Sequence, residues 1–182
     1  MKIIVLHGWG ENPASFWYPY LRRELEKKGW KVEIPQLPNT NDPKLSEQLD
    51  FCLSNLKFDD QTILITHSSG TPLALAILEK IPGKISKFIS VAGYSSPLKA
   101  KVDNLDTKNI KDFWDWKEIK KHCDQFIFIN ADNDPWGAND EQGREMAEKL
   151  GGKLIVNHDG HMGSVSFNQP YKEFPLLLTL ID

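Results

Sequence analysis

Apolar residues follow two rhythms along this chain of 182 residues. Short strand-like runs, Lys2–Leu6, Lys31–Ile34, Thr62–Ile65, Ile85–Val91, Gln125–Asn130 and Lys153–Asn157, alternate with stretches whose apolar positions recur every three or four residues. That spacing predicts helices over about 16–28, where Leu21 and Leu25 share a face, 43–56, with Leu45, Leu49, Leu53 and Leu56 turned toward a sheet, and 71–80, 139–150 and 171–180. Pro35 and Pro38 interrupt the chain after the second run, Pro82-Gly83 stops the helix before the fourth, and Gly151-Gly152 closes the one before the sixth. Strand and helix in alternation predict an α/β architecture, with six strands in a mostly parallel sheet and helices on both faces, a three-layer sandwich. The length suits one domain over residues 1–182, burying roughly 70% of its unfolded surface.

One junction carries chemistry. The third run leads into Thr66-His67-Ser68-Ser69-Gly70 and at once into a helix-forming stretch. A serine on a sharp turn between a parallel strand and a helix is the nucleophile elbow of α/β-hydrolases, which stands the hydroxyl clear of the sheet beside the helix N-terminus. Strand and helix backbones pass closely there, so small neighbours are required, and Gly70 meets that demand. Thr66 stands where the G-x-S-x-G pattern opens with glycine. Ser68 is the only serine followed two residues later by glycine.

In a doubly wound sheet the ligand lies beyond the carboxyl ends of the strands, so the loops after strands are where reactive side chains belong. His7-Gly8-Trp9-Gly10 follows the first run; Pro13 stands where a dinucleotide fingerprint needs its third glycine, and the expected use is an oxyanion donor, the backbone N–H of Trp9 paired with that of Ser69. Asp132 and Asp134 follow the fifth run, and either could orient a histidine. His161 lies in the loop after the sixth. The order Ser, Asp, His along the chain is that of α/β-hydrolases. His161 would take the proton of Ser68 during attack and return it to the leaving group. Metal chemistry is the competing use of His158, His161 and the nearby aspartates, but no HExxH-type ligand set accompanies them, so neither metal nor cofactor is expected.

Composition narrows the partners. A net charge of -3 and a pI near 6.0 argue against a nucleic-acid binder, and the lysines of KKGWK and KEIKK suit solvated helix ends. Cys52 and Cys123 lack metal or redox spacing and are expected to be buried thiols. The apolar run Ile3 to Leu6 is too short for a signal peptide, and none reaches the roughly 18 residues of a membrane span, so a cytoplasmic protein without membrane contact is expected.

Taken together, the HGWG loop, the HSSG elbow, the FWDWKEI stretch, DNDPW at 132–136 and DGHM at 159–162 resemble the small serine hydrolases of the YdeN type, the group that includes retinoblastoma-binding protein nine. The likeness spans nearly the whole chain. It implies a compact α/β-hydrolase fold without a large cap, strand order 2-1-3-4-5-6, and the catalytic set Ser68, Asp134 and His161. Asp134 is favoured over Asp132 because the family's acid resembles the aspartate just before proline. The longest gap between strands, about 92–124, holds several aromatics but no room for a lid domain; Trp9, Tyr94, Trp114 and Trp136 are the candidates to line a substrate pocket. A shallow site suits small esters or amides. The alternative is a hydrolase-fold module that binds a protein partner and has lost its chemistry.

Overall fold

The computed structural model describes residues 1–98 and 110–181. Six strands, β1 (Lys2–Leu6), β2 (Lys31–Glu33), β3 (Thr62–His67), β4 (Ile85–Val91), β5 (Cys123–Ala131) and β6 (Lys153–Asn157), pair in parallel throughout, in the order β2-β1-β3-β4-β5-β6. The order changes direction at β1, whose neighbours are β2 and β3, and the loops that leave β1 and β3 emerge side by side. Such a switch point opens a crevice at the carboxyl edge of a sheet.

Alternation along the strands sorts side chains between two cores. Ile3, Val5, Ile63, Ile65, Ile89, Val91, Ile127 and Ile129 point to one face, where α1 (Tyr18–Lys27) and α6 (Pro175–Ile181) cover them with Leu21, Leu25, Leu177 and Ile181. Ile4, Leu6, Leu64, Phe88, Phe126 and Phe128 point to the other, under α2 (Leu45–Asn55), α3 (Gly70–Leu78), α4 (Trp116–Lys121) and α5 (Asp140–Leu150). Every residue of α3 is buried, because neighbours flank it on either side as well as the sheet beneath. Helix ends are marked by local chemistry: the Asn139 side chain accepts from Glu141 N–H at the start of α5, and Gly151, at φ +75°, ends it in the left-handed conformation.

Several elements differ from the sequence reading, α4 among them, which the apolar spacing does not predict. In α2 the fully buried positions are Gln48 and Cys52, with Leu45, Leu49 and Leu56 partly covered, and Leu53 is 39% exposed: the helix meets the core along a stripe one residue removed from the leucine spacing. The last helix begins at Pro175 rather than Tyr171, which has a positive φ of 34°. Cys52 and Cys123 are free and buried, and burial pushes both thiols up to about 12. Among the described residues no helix is long and apolar enough to cross a membrane.

Candidate active site

Ser68 sits between β3 and α3 with φ +50°, a left-handed conformation that a non-glycine residue holds only where its surroundings enforce it. They do so here from both sides. Its N–H donates to Val91 O at 2.9 Å, its C=O accepts from Thr71 N–H at 2.9 Å, and α3 lies so close to β1 that a Cβ on Gly70 would stand 2.3 Å from Leu6 O. Thr66 fits in place of the usual glycine because its hydroxyl shares a hydrogen bond with Thr71 Oγ1 at 2.8 Å, which is bonded in turn to Ser90 Oγ at 2.9 Å. The Ser68 side chain is partly exposed, and its hydroxyl has no hydrogen-bond partner among the described residues.

His161 and Asp134 meet across the loops after β6 and β5. Asp134 Oδ2 accepts from His161 Nδ1 at 2.7 Å while Oδ1 accepts from Trp136 N–H at 2.8 Å, so both carboxylate oxygens of this fully buried side chain are engaged. That bond fixes the imidazole with Nδ1 protonated and leaves Nε2 as the basic atom. The His161 ring lies 5.0 Å, centroid to centroid, from that of His67, the residue before Ser68. Its backbone is held by Gln169 Oε1, which accepts His161 N–H at 2.8 Å, and by Asn133 Oδ1, which accepts Gly160 N–H at 2.9 Å. Asp132 turns away: its Oδ1 is 2.5 Å from Nδ1 of the exposed His158. The two aspartates left open by sequence are thus separated by burial and partner.

The loop after β1 closes on itself through a carboxylate that sequence reasoning passed over. Glu11 Oε2 accepts Gly8 N–H at 2.7 Å and the Tyr18 hydroxyl, and Oε1 lies 2.8 Å from His67 Nδ1. His67 Nε2 in turn donates to the carbonyl of His161 at 2.9 Å. Burial alone would raise Glu11, but the His67 imidazolium beside it, with the hydrogen bonds it receives, holds it below the usual carboxylate range. Burial disfavours the His67 cation, but the Glu11 charge together with the hydrogen bonds to Glu11 and to the His161 carbonyl, and the Asp134 charge beyond, more than offset that and raise it. His7 is different: Nε2 accepts Leu37 N–H at 3.1 Å, and burial lowers its basicity, so it is a neutral tie to the loop after β2. With Gly8 N–H taken by Glu11 and Gly10 N–H by Thr40 O, no acceptor among the described residues pairs with the amides of Trp9 or Ser69.

The four aromatic candidates separate. Trp9 is 38% exposed, with its indole N–H bound to Asn41 O at 3.0 Å. Trp136 packs 6.4 Å from the His161 ring and 5.0 Å from Phe167, and donates to Ser164 Oγ at 3.1 Å. Tyr94 is buried. Trp114 is a core residue: it donates to Ser95 O at 2.7 Å and packs with the cluster beneath α3 and α4, on the other face of the sheet from Phe16 and Met162. Phe167 and Val165, exposed on the short bridged turn between Ser164 and Gln169, were not foreseen because nothing in SVSF distinguishes a rim from an ordinary loop.

Known proteins share this architecture. The chain is 28% identical over 179 residues to the serine hydrolase RBBP9 of Rattus norvegicus, covering 97% of this chain and 94% of that one. It is 25% identical over 166 residues to YdeN of Bacillus subtilis (strain 168), covering 88% and 85%. The crystal structure of the B. subtilis ydeN gene product superposes with a TM-score of 0.88 at 22% identity, covering 99% of this chain and 96% of that one. Est1E of Butyrivibrio proteoclasticus, with ferulic acid bound, shares the fold at a TM-score of 0.69 and 14% identity, covering 99% and 86%. The family model described as serine hydrolase matches residues 3–180, and the chain belongs to that family.

Proposed function

We propose that this hydrolase cleaves small carboxylic esters or amides through an acyl-enzyme intermediate, with Ser68 as nucleophile, His161 as general base and acid, and Asp134 as the group that orients His161. The observation that carries the reading is the 2.7 Å bond from His161 Nδ1 to Asp134, with the His161 ring packed against the residue next to Ser68. A serine hydroxyl is a weak nucleophile at neutral pH, so Nε2 of His161 accepts its proton as Oγ attacks the carbonyl carbon. Asp134 stabilises the imidazolium that forms and stays ionised. Negative charge then gathers on the carbonyl oxygen, where the free amides of Trp9 and Ser69 are the donors to receive it; each such donor is worth about 10²–10³ in rate. His161 returns the proton to the departing alcohol or amine, and water repeats the sequence to release the acid. Trp136, packed between the rings of His161 and Phe167, would offer an apolar surface to a short acyl or aromatic group rather than a long lipid chain, with the exposed Trp9 as a further candidate.

A fluorophosphonate probe tests this directly. Ser68 should be the labelled residue, and Ser68→Ala should abolish both labelling and turnover of a short p-nitrophenyl ester while leaving the fold intact. Well-folded wild-type protein that neither labels nor turns over would refute the proposal and favour a binding role.

A further inference from the structure

Three hydrogen bonds run in series beneath the site: Gly8 N–H to Glu11 Oε2 at 2.7 Å, Glu11 Oε1 to His67 Nδ1 at 2.8 Å, and His67 Nε2 to the carbonyl of His161 at 2.9 Å. They join segments 56 and 94 residues apart in the chain. The proton count along this series is constrained. A backbone carbonyl only accepts, so His67 Nε2 carries a hydrogen. Glu11 already takes hydrogen bonds on Oε2 from an amide and from the Tyr18 hydroxyl, an arrangement that suits a carboxylate and not a carboxylic acid. Nδ1 of His67 therefore also carries a hydrogen, and the ring is an imidazolium paired with Glu11.

The pair has no path to the reacting atoms, since Glu11 is fully engaged and both His67 nitrogens are spoken for. It is enclosed by the rings of Phe16, Trp17 and Tyr18 and by His161, with Asp134 and His7 as the further titratable groups close enough to act on it. Space is equally constrained: a Cβ on Gly8 would stand 2.7 Å from Glu11 Oε1 and 3.1 Å from the Cβ of Ser68. The carboxylate and the candidate nucleophile thus flank a single glycine.

Resting on the hydrolase reading above, we propose that Glu11 and His67 are positioning residues: one buried carboxylate–imidazolium pair fastens the loop that carries the oxyanion amide of Trp9 to the loop that carries His161, so that both meet Ser68 in register. An isolated structural ion pair would be expected to bond within one element or across one interface. This one spends its two ends on the two loops whose separation the reaction depends on. A misplacement of about 1 Å in such a constellation costs about a hundred-fold in rate.

Two measurements on the full chain test the proposal. In ¹⁵N-resolved NMR, with the signals of His67 identified by their loss in His67→Gln, both ring nitrogens should be protonated at pH 7.5 in the wild type, and only one in Glu11→Gln; a neutral His67 ring in the wild type overturns the proton assignment whether or not the protein has activity. In steady-state kinetics on a short p-nitrophenyl ester, Glu11→Ala should lower kcat about ten- to a hundred-fold with KM changed less than about twofold. Glu11→Gln keeps an acceptor for Gly8 and Tyr18 and offers an N–H to a neutral His67, so it should recover to within about threefold of wild type. A folded Glu11→Ala with wild-type kcat, or a Glu11→Gln as slow as Glu11→Ala, overturns the positioning role. A paired imidazolium in a wild type that neither labels nor turns over would instead mark failure of the hydrolase reading. Should Glu11→Ala fail to fold, the wild-type NMR spectrum and the Glu11→Gln kinetics still decide the matter.

Discussion

Replacing Asp134 by asparagine should separate the two aspartates by orders of magnitude. Asp134 serves two donors at once, His161 Nδ1 at 2.7 Å and Trp136 N–H at 2.8 Å, from a side chain with no exposure. Asparagine offers one oxygen and one NH₂ in the same place. If the oxygen stays with Trp136, the NH₂ faces Nδ1 and selects the tautomer with its hydrogen on Nε2, which cannot accept a proton from Ser68. If the oxygen turns to His161, the NH₂ confronts the Trp136 N–H, and a buried unpaired donor costs about 1–3 kcal/mol. Reaching the competent tautomer therefore costs about ten- to a hundred-fold in rate. The lost charge on the imidazolium removes a charge-assisted bond, worth a comparable factor. The loss in kcat should fall between about 10² and 10⁴, the upper end being that of the same substitution in serine proteases. Asp132→Asn touches only a surface pair with His158 and should stay within about threefold. Rates of fluorophosphonate labelling and of p-nitrophenyl ester hydrolysis, with circular dichroism to show that both variants fold, measure the contrast. Equal losses in the two variants would refute the assignment of Asp134.

Other perturbations probe the scaffold. Gly70→Ala must push α3 from β1, because the new Cβ meets a backbone oxygen 2.3 Å away; a loss of about 3 kcal/mol, read by calorimetry as a fall of about 6–12 °C in Tm, is expected. Thr66→Gly restores the usual elbow glycine but breaks the Thr66–Thr71 bond and loosens β3, so stability should drop by about 1–2 kcal/mol in urea titrations with no more than about a twofold change in labelling rate. The Glu11–His67 pair predicts a pH signature in stability. Glu11 is depressed from 4.5, so its contribution is complete above that value and lost as pH falls through the depressed one; His67 is elevated from 6.5, so its contribution is complete below that value and lost as pH rises through the elevated one. The Tm advantage of wild type over Glu11→Gln should be greatest between pH 4.5 and 6.5 and decline on both sides.

What could be read from sequence, and what could not, follows from the range of the forces involved. The strands are legible because a short apolar run is a local property: β1, β3 and β4 send successive side chains to opposite cores and so are apolar on both faces. Ser68, Asp134 and His161 were candidates because they follow strands, and a parallel sheet collects strand ends along one edge whatever the details between. The choice of Asp134 over Asp132 is not local. It depends on which carboxylate the turn after β5 directs inward: Asp134 meets the His161 ring, and Asp132 meets the exposed His158. Trp114, a candidate for the pocket, is a related case: an aromatic of its size can serve a core or a site, and its packing in the cluster beneath α3 and α4 is visible only in the fold.

Glu11 and His67 mark the limit most clearly. A glutamate in a glycine-rich loop normally reads as a solvated residue, and a histidine beside an elbow serine as one of its variable neighbours. Each becomes interpretable only through the other, since a carboxylate enters this interior at acceptable cost only with a cation and hydrogen-bond donors waiting there. A buried ion pair is often no more stabilising than well-packed hydrophobic residues in its place, so the attraction between the two charges does not by itself account for their presence. What an apolar pair could not do is donate to the His161 carbonyl and accept from Gly8 N–H at once. The connection between the two loops, rather than the energy of the ion pair, is the property for which hydrogen-bonding side chains are needed at both positions.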